Sequence, residues 1–148
     1  MGINVAIKRL PHSRDLPLPA YQTPGSAGMD LQAALEQDLV IQPGDRVLIP
    51  TGYVIALPEG YEAQVRPRSG LANRFGLTVA NAPGTIDCDY RGEMLVLLIN
   101  LGDAPVTVHR GDRIAQLVIA PVLKASWQLF DDLPGSTRNN GGFGSTGR

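Results

Sequence analysis

Apolar and polar positions alternate with a period of two near the start of the chain. Ile3, Val5 and Ile7 are interleaved with Asn4, Ala6 and Lys8, the pattern of a strand with one buried face. Short apolar runs follow at residues 39–41, 46–49, 53–57, 61–66, 77–80, 94–101, 106–108 and 113–118. Turn signals separate them: Pro43-Gly44-Asp45, Pro50-Thr51-Gly52, Pro58-Glu59-Gly60, Pro83-Gly84 and Arg110-Gly111-Asp112. Many short strands at close spacing predict an all-β sandwich, barrel or jelly roll. Only residues 69–75 read as a helix, with Ser69 as its cap and Gly76 at its end. Pro83-Gly84 predicts a type II turn closing a hairpin between residues 76–80 and 85–87.

Composition narrows the class. A chain of 148 residues fits one domain, and 17 Gly with 12 Pro are too many for a helical bundle. Lys and Arg number 13 against 14 Asp and Glu, so the basic excess of a nucleic-acid binder is absent. Charged residues make up 18% of the chain, below the usual ~25%, which suggests that some surface is hidden in an oligomer. A single Cys88 excludes an intrachain disulfide and a multi-cysteine zinc site. The first residues contain no long apolar run, so neither a signal peptide nor a membrane span is expected, and a cytoplasmic location is. Residues 134–148 differ from the rest: with Phe143 as their one large apolar side chain, they cannot bury enough surface to offset ordering entropy. The expected organisation is a β domain at 1–133 and a flexible arm at 134–148.

Three segments carry candidate chemistry. The arm contains Gly142-Phe143-Gly144-Ser145-Thr146-Gly147, a literal G-x-G-x-x-G with no helix to follow it, so a dinucleotide fold is excluded. Its residue types still suit an anion: glycines let backbone N–H groups approach, Ser145 and Thr146 add hydroxyls, and Arg138 adds charge. Phe143 offers a flat face to a base. A frayed terminus is the plainer alternative. In the second segment, residues 84–92, an extended chain would put Asp87 and Asp89 on one face and Cys88 on the other. Paired carboxylates can hold a metal or activate water, or can simply satisfy donors in a polar turn. In the third, Arg66 and Arg68 flank Pro67 ahead of Ser69-Gly70, either an anion site or a capped helix with surface arginines. Residues 26–31 and 110–116 read as loops leading into strands. Cys88 reads as a small buried side chain, His12 and His109 as non-catalytic, and Trp127 as packing.

Together these segments resemble the trimeric deoxyuridine triphosphatase (dUTPase) family. The resemblance rests on AGMDL at 27–31, RPRSGLA at 66–72, GTIDCDYRGE at 84–93, RGDRIAQL at 110–117 and GGFGSTG at 141–147, almost the whole chain in one order. It implies a homotrimer of jelly-roll-like barrels that hydrolyse dUTP to dUMP and diphosphate with Mg²⁺, lowering dUTP and supplying dUMP for thymidylate synthesis. Asp87 resembles the general base that activates the attacking water at the α-phosphorus. The Mg²⁺ resembles an ion held by substrate phosphates and water, with no direct protein ligand. Tyr90 resembles the residue packed on the deoxyribose, leaving no room for a 2′-hydroxyl. Asn81, with backbone groups around Thr85 and Ile86, matches the uracil pocket. Arg68, Ser69 and Gly70 match the phosphate-binding segment, Gln116 lies near the phosphates, and Asp30 supports its neighbours. In the arm, Phe143 corresponds to the residue stacked on uracil, with Arg138, Gly144, Ser145, Thr146 and Gly147 closing over the phosphates. In the family this arm commonly reaches a site formed by neighbouring subunits. Asn139-Asn140 departs from relatives that carry glycine or charge there. A dCTP deaminase would need a different acid–base constellation, and a non-catalytic nucleotide sensor is disfavoured by intact Asp87, Tyr90 and Phe143.

Overall fold

The computed structural model describes residues 2–147, and it is a β protein with one short helix. Its strands are β1 (Ala6–Arg9), β2 (Met29–Gln32), β3 (Leu39–Ile41), β4 (Arg46–Pro50), β5 (Tyr53–Ala56), β6 (Tyr61–Arg66), β7 (Leu77–Val79), β8 (Gly84–Ile86), β9 (Leu95–Asn100), β10 (Val106–Val108) and β11 (Arg113–Pro121). The helix α1 (Ser69–Phe75) joins β6 to β7. Strands pair in the orders β2-β11-β6-β8 and β4-β9-β7, with β1-β5 and β3-β10 as two-stranded ribbons. All these pairings are antiparallel. The architecture is all-β, as the strand pattern predicts, and jelly-roll-like, as the family resemblance implies.

Period-two alternation builds the core. On β9, Val96, Leu98 and Asn100 point inward and are fully buried, while Leu95, Leu97 and Ile99 point outward. The inward row meets Ile41, Ile49, Leu77, Val79, Met94 and Val108 in one cluster. Burying an amide in that cluster requires satisfying it. Asn100 does so fully: Nδ2 donates to the carbonyls of Ile41 (2.9 Å) and Ala104 (2.8 Å), and Oδ1 accepts from Gly102 N–H (2.9 Å). Helix α1 ends at Gly76, whose φ of +68° and close approach to the Gly102 backbone both exclude a side chain.

Several expectations are corrected. Residues 76–80 and 85–87 form no hairpin: β7 pairs with β9 and β8 with β6, in different sheets. The Ala82–Pro83 peptide is cis and Gly84 lacks the positive φ of a type II turn. The Pro-Gly signal marked a chain reversal without deciding which strands it joined. Ser69 is the first helical residue rather than the cap; Arg68 occupies that position without a side-chain cap bond. The first strand starts at Ala6 and buries no residue, because it pairs only with β5 at the surface. Residues 87–91 form a turn, with Tyr90 N–H donating to Asp87 O at 3.1 Å, instead of staying extended. Trp127 does not pack within the chain: it is 96% exposed, as part of a run after β11 in which Leu123, Leu129, Phe130 and Leu133 are exposed too.

Candidate active site

Two clefts sit at opposite ends of β6. The first is built where β6 runs into α1 and is lined by Gly28, Asp30, Arg68, Ser69, Gly70, Arg74 and Gln116, with a volume of about 490 Å³. Strand pairing assembles it: on β11, Gln116 lies between Asp30 of β2 and Arg66 of β6. The Arg68 Nε pairs with Asp30 Oδ1 at 3.2 Å, and Arg113 Nη1 approaches Asp30 Oδ2 at 3.5 Å. Arg68 Nη1 also donates to the Arg113 carbonyl at 3.2 Å. Asp30 thus lies within reach of two guanidiniums. Gln116 Nε2 donates to Pro67 O at 3.0 Å, and a Cβ on Gly28 would stand 2.5 Å from Gln116 Oε1. Ser69 and Gly70 are exposed at the mouth. With Arg68 offset by Asp30, the exposed Arg74 on α1 leaves this cleft positive.

The second cleft, about 170 Å³, is lined by Thr85, Ile86, Asp87, Tyr90, Glu93, Met94 and Leu95. Asp87 is exposed, and its carboxylate accepts no hydrogen bond among the described residues, so its lone pairs are free for a water. The Arg91 guanidinium donates to the carbonyls of Cys88 (2.7 Å) and Tyr90 (2.9 Å), closing the turn behind Asp87. The Tyr90 hydroxyl donates to Glu93 O at 3.0 Å, and its ring lies on Gly92, where a Cβ would come within 2.9 Å of three ring or hydroxyl atoms. Ile86 turns its side chain into the core, so only its backbone faces the cleft; β8 is the edge strand of its sheet. Asn81 is exposed in the loop before β8, its Nδ2 3.2 Å from the Cβ position of Gly84. Cys88 is half-buried against the core.

One chain does not bring the two clefts together. Ile86 is level with Ala63 on β6, so Asp87 is level with Glu62, while Arg68 lies six residues further along. At about 3.3 Å per residue the two functional ends are roughly 20 Å apart. The arm stands free of both. Its turns are internal: Arg138 Nε donates to Gly141 O (2.7 Å), Gly141 N–H returns to Arg138 O (2.9 Å), and Ser145 N–H donates to Gly142 O (3.0 Å). Phe143, Gly144, Ser145 and Thr146 are exposed, and Phe143 touches nothing that shields it. Asn139 adopts a φ of 45°, a conformation asparagine tolerates better than most residues.

Sequence reasoning missed Arg113, Arg74 and Glu93. Arg113 meets Arg68 only through strand pairing, and no spacing signals it. Arg74 could have been found, since it shares the helix with Ser69 and Gly70. His12 and His109 are both paired, with Glu93 at 2.5 Å and Asp38 at 2.9 Å. No group of three or more His, Cys, Asp or Glu side chains gathers among the described residues.

The chain is an antiparallel, jelly-roll-like β fold with an arginine cleft at one end of a sheet and a carboxylate turn at the other. The chain belongs to the dUTPase family, whose sequence model matches residues 14–147. It is 64% identical over 132 residues to the deoxyuridine 5'-triphosphate nucleotidohydrolase of Desulfotalea psychrophila, covering 89% of this chain and 88% of the relative. Its identity to the protein of the same name from Aquifex aeolicus is 62% over 141 residues, covering 95% and 94%. Among solved structures, a variant dUTPase of Staphylococcus bacteriophage 80alpha with dUpNHpp superposes with a TM-score of 0.88 at 24% identity, over 98% and 99% of the two chains. A variant dUTPase of the S. aureus phage phi11, described as coordinating a structural Mg(II) ion, superposes with a TM-score of 0.78 at 21% identity, over 88% and 98%. Those two likenesses speak for the fold. No helix among the described residues is long and apolar enough to cross a membrane.

Proposed function

We propose that this hydrolase converts dUTP to dUMP and diphosphate, with Asp87 as the general base, at sites each completed by more than one subunit of a homotrimer. The Asp87 carboxylate takes a proton from a water; the oxygen of that water bonds to the α-phosphorus, the bond to the bridging oxygen breaks, and diphosphate leaves. The unpaired edge of β8, with Asn81 beside it, offers backbone donors and acceptors to the uracil edge, and a pocket closed around uracil there would exclude a 5-methyl group. Tyr90 packs on the deoxyribose and excludes UTP. Arg68, Ser69, Gly70 and Gln116 hold phosphates, and Asp30 sets the angle of Arg68.

The observation that carries the multi-subunit reading is the separation of the clefts at the two ends of β6. A carboxylate and a guanidinium roughly 20 Å apart cannot serve one phosphorus, so the arginine cleft that meets Asp87 belongs to another copy. The outward face of the β4-β9-β7 sheet supports this, with Leu48 and Leu95 56% and 41% exposed. So do the exposed run around Trp127 and the arm at 134–148, a separate unit from the domain at 1–133, whose Phe143 stacks on uracil. Arg138, Gly144, Ser145, Thr146 and Gly147 close over the phosphates.

The residues present fit a magnesium ion carried by the substrate. Asp87 brings a carboxylate to the cleft, a hard oxygen group suited to the water shell of an ion that the substrate phosphates would hold. Bound there, Mg²⁺ neutralises phosphate charge and helps orient the chain of phosphates. The direct test is to incubate the pure protein with dUTP and Mg²⁺ and measure diphosphate. Turnover of dUTP with none of UTP or dTTP is expected; the absence of any dUTP turnover, or release of ammonia from dCTP, refutes the reading.

A further inference from the structure

The loop that carries Tyr90 is tied to the start of the chain through a side chain given no role above. Glu93 Oε1 accepts from the Gly52 amide at 2.7 Å and from His12 Nε2 at 2.5 Å. A carboxylate in this state only accepts, so His12 carries a proton on Nε2. At its carbonyl, Gly52 accepts from Leu10 N–H at 2.8 Å and from the hydroxyl of fully buried Ser13 at 2.7 Å. Gly52 has a φ of +77°, and a Cβ there would stand 2.2 Å from that of Ser13, so only glycine permits this approach. The 3-10 turn at Pro11–Ser13 is thereby fastened to Gly52, and Gly52 to Glu93.

The other end of Glu93 reaches the sugar side. Its carbonyl accepts from the Tyr90 hydroxyl at 3.0 Å, and the amide of the same peptide unit, Met94 N–H, donates to Tyr53 O at 2.8 Å. The carboxylate fixes where residue 93 sits, and the Met94 amide fixes which way its peptide plane faces. Between them they fix the carbonyl that the exposed Tyr90 hydroxyl bonds while its ring lies on Gly92. Rejecting a 2′-hydroxyl depends on a ring held to a fraction of an ångström, because a displaced ring opens the space it was meant to fill.

We infer that Glu93, held by His12, is a positioning residue for sugar selection, acting through Tyr90. The inference rests on the reading of Tyr90 as the residue against the deoxyribose. The competing account is that His12 and Glu93 merely fasten the N-terminal turn to the domain. The two differ in one readout, the ratio of kcat/KM for dUTP to that for UTP. Loss of folded enzyme cancels in that ratio, since both substrates meet the same active fraction.

The test measures this ratio for the full chain and for His12→Ala, His12→Gln, Glu93→Ala, Tyr90→Phe and Tyr90→Ala. Glu93→Ala and Tyr90→Phe are expected to lower it about tenfold, and His12→Ala about threefold. His12→Gln, whose amide can still donate to the carboxylate, should restore it. An unchanged ratio in Glu93→Ala and His12→Ala, with Tyr90→Ala lowering it, overturns the inference and leaves the sugar reading standing. An unchanged ratio in Tyr90→Ala removes the sugar reading and the inference with it. If Glu93→Ala does not fold, the two His12 variants decide.

Discussion

Asp30 is the pivot of the arginine cleft, and Asp30→Asn tests whether orientation or net charge governs phosphate binding there. The substitution keeps the shape and one acceptor but removes the charge between Arg68 and Arg113. Asp30 is 16% exposed, against 34% for Arg68 and 49% for Arg113. A covered hydrogen bond to a charged group contributes about 1.5–3 kcal/mol, and an exposed ion pair about 1 kcal/mol at most. For this half-covered pair of contacts, about 1–2 kcal/mol is the fitting size. An opposing effect exists, because removing a negative charge strengthens the attraction of the cleft for a triphosphate. That attraction is screened over about 8 Å at physiological salt, whereas a misplaced guanidinium is misplaced at any salt. Orientation therefore prevails, and kcat/KM for dUTP should fall about 5- to 30-fold. The loss should deepen between about 50 and 300 mM salt, as the compensating attraction fades. Steady-state diphosphate release at both salt concentrations is the assay. A variant that binds dUTP more tightly than the parent, or a loss that disappears in high salt, would refute the reasoning.

Other outcomes follow from the same geometry. Asp87→Asn should lower kcat by roughly 10²–10⁴-fold while dUTP still binds, as measured by calorimetry; near-parental turnover removes Asp87 as the base. Deleting residues 141–148 should leave a folded oligomer with very poor hydrolysis, and normal activity would mean that the arm is only a frayed end. Light scattering should give three times the 15.8 kDa chain mass, and the lone Trp127 should emit as a buried indole in that assembly. A monomer mass with water-exposed emission contradicts the shared site. Asp38 holds the His109 imidazole above its ordinary value of 6.5 by accepting its Nδ1 hydrogen bond. A raised pKa stabilises the fold fully below about pH 6.5 and less as pH rises through the raised value. In Asp38→Asn, the NMR titration midpoint of His109 should drop toward its ordinary value; no drop excludes the pairing as cause.

Legibility in the sequence followed the range of the interaction. The spans of β3, β6, β10 and α1 coincide with the residues read from apolar periodicity and from Gly and Pro punctuation, since both signals act over a few neighbouring residues. Arg68, Ser69, Asp87 and Tyr90 could be singled out as candidates for a similar reason, because each lies within a short contiguous motif. Arg113 and Glu93 were not, because what they touch, Asp30 in one case and Gly52 with His12 in the other, is distant in sequence. For Trp127, an aromatic in an apolar run signals packing, but the chain alone supplies no surface for it.

By itself, then, the sequence determined an all-β chain, the positions of its turns, a single helix and the residue types able to bind phosphates and activate water. Tertiary structure decided which strands meet: β7 with β9 instead of β8, and β11 between β2 and β6. Pairing is settled by which faces can be buried together across the whole barrel, and no local pattern records that. It also set the arginine cleft and the carboxylate turn at opposite ends of β6, the separation on which the proposal of a site shared between copies rests.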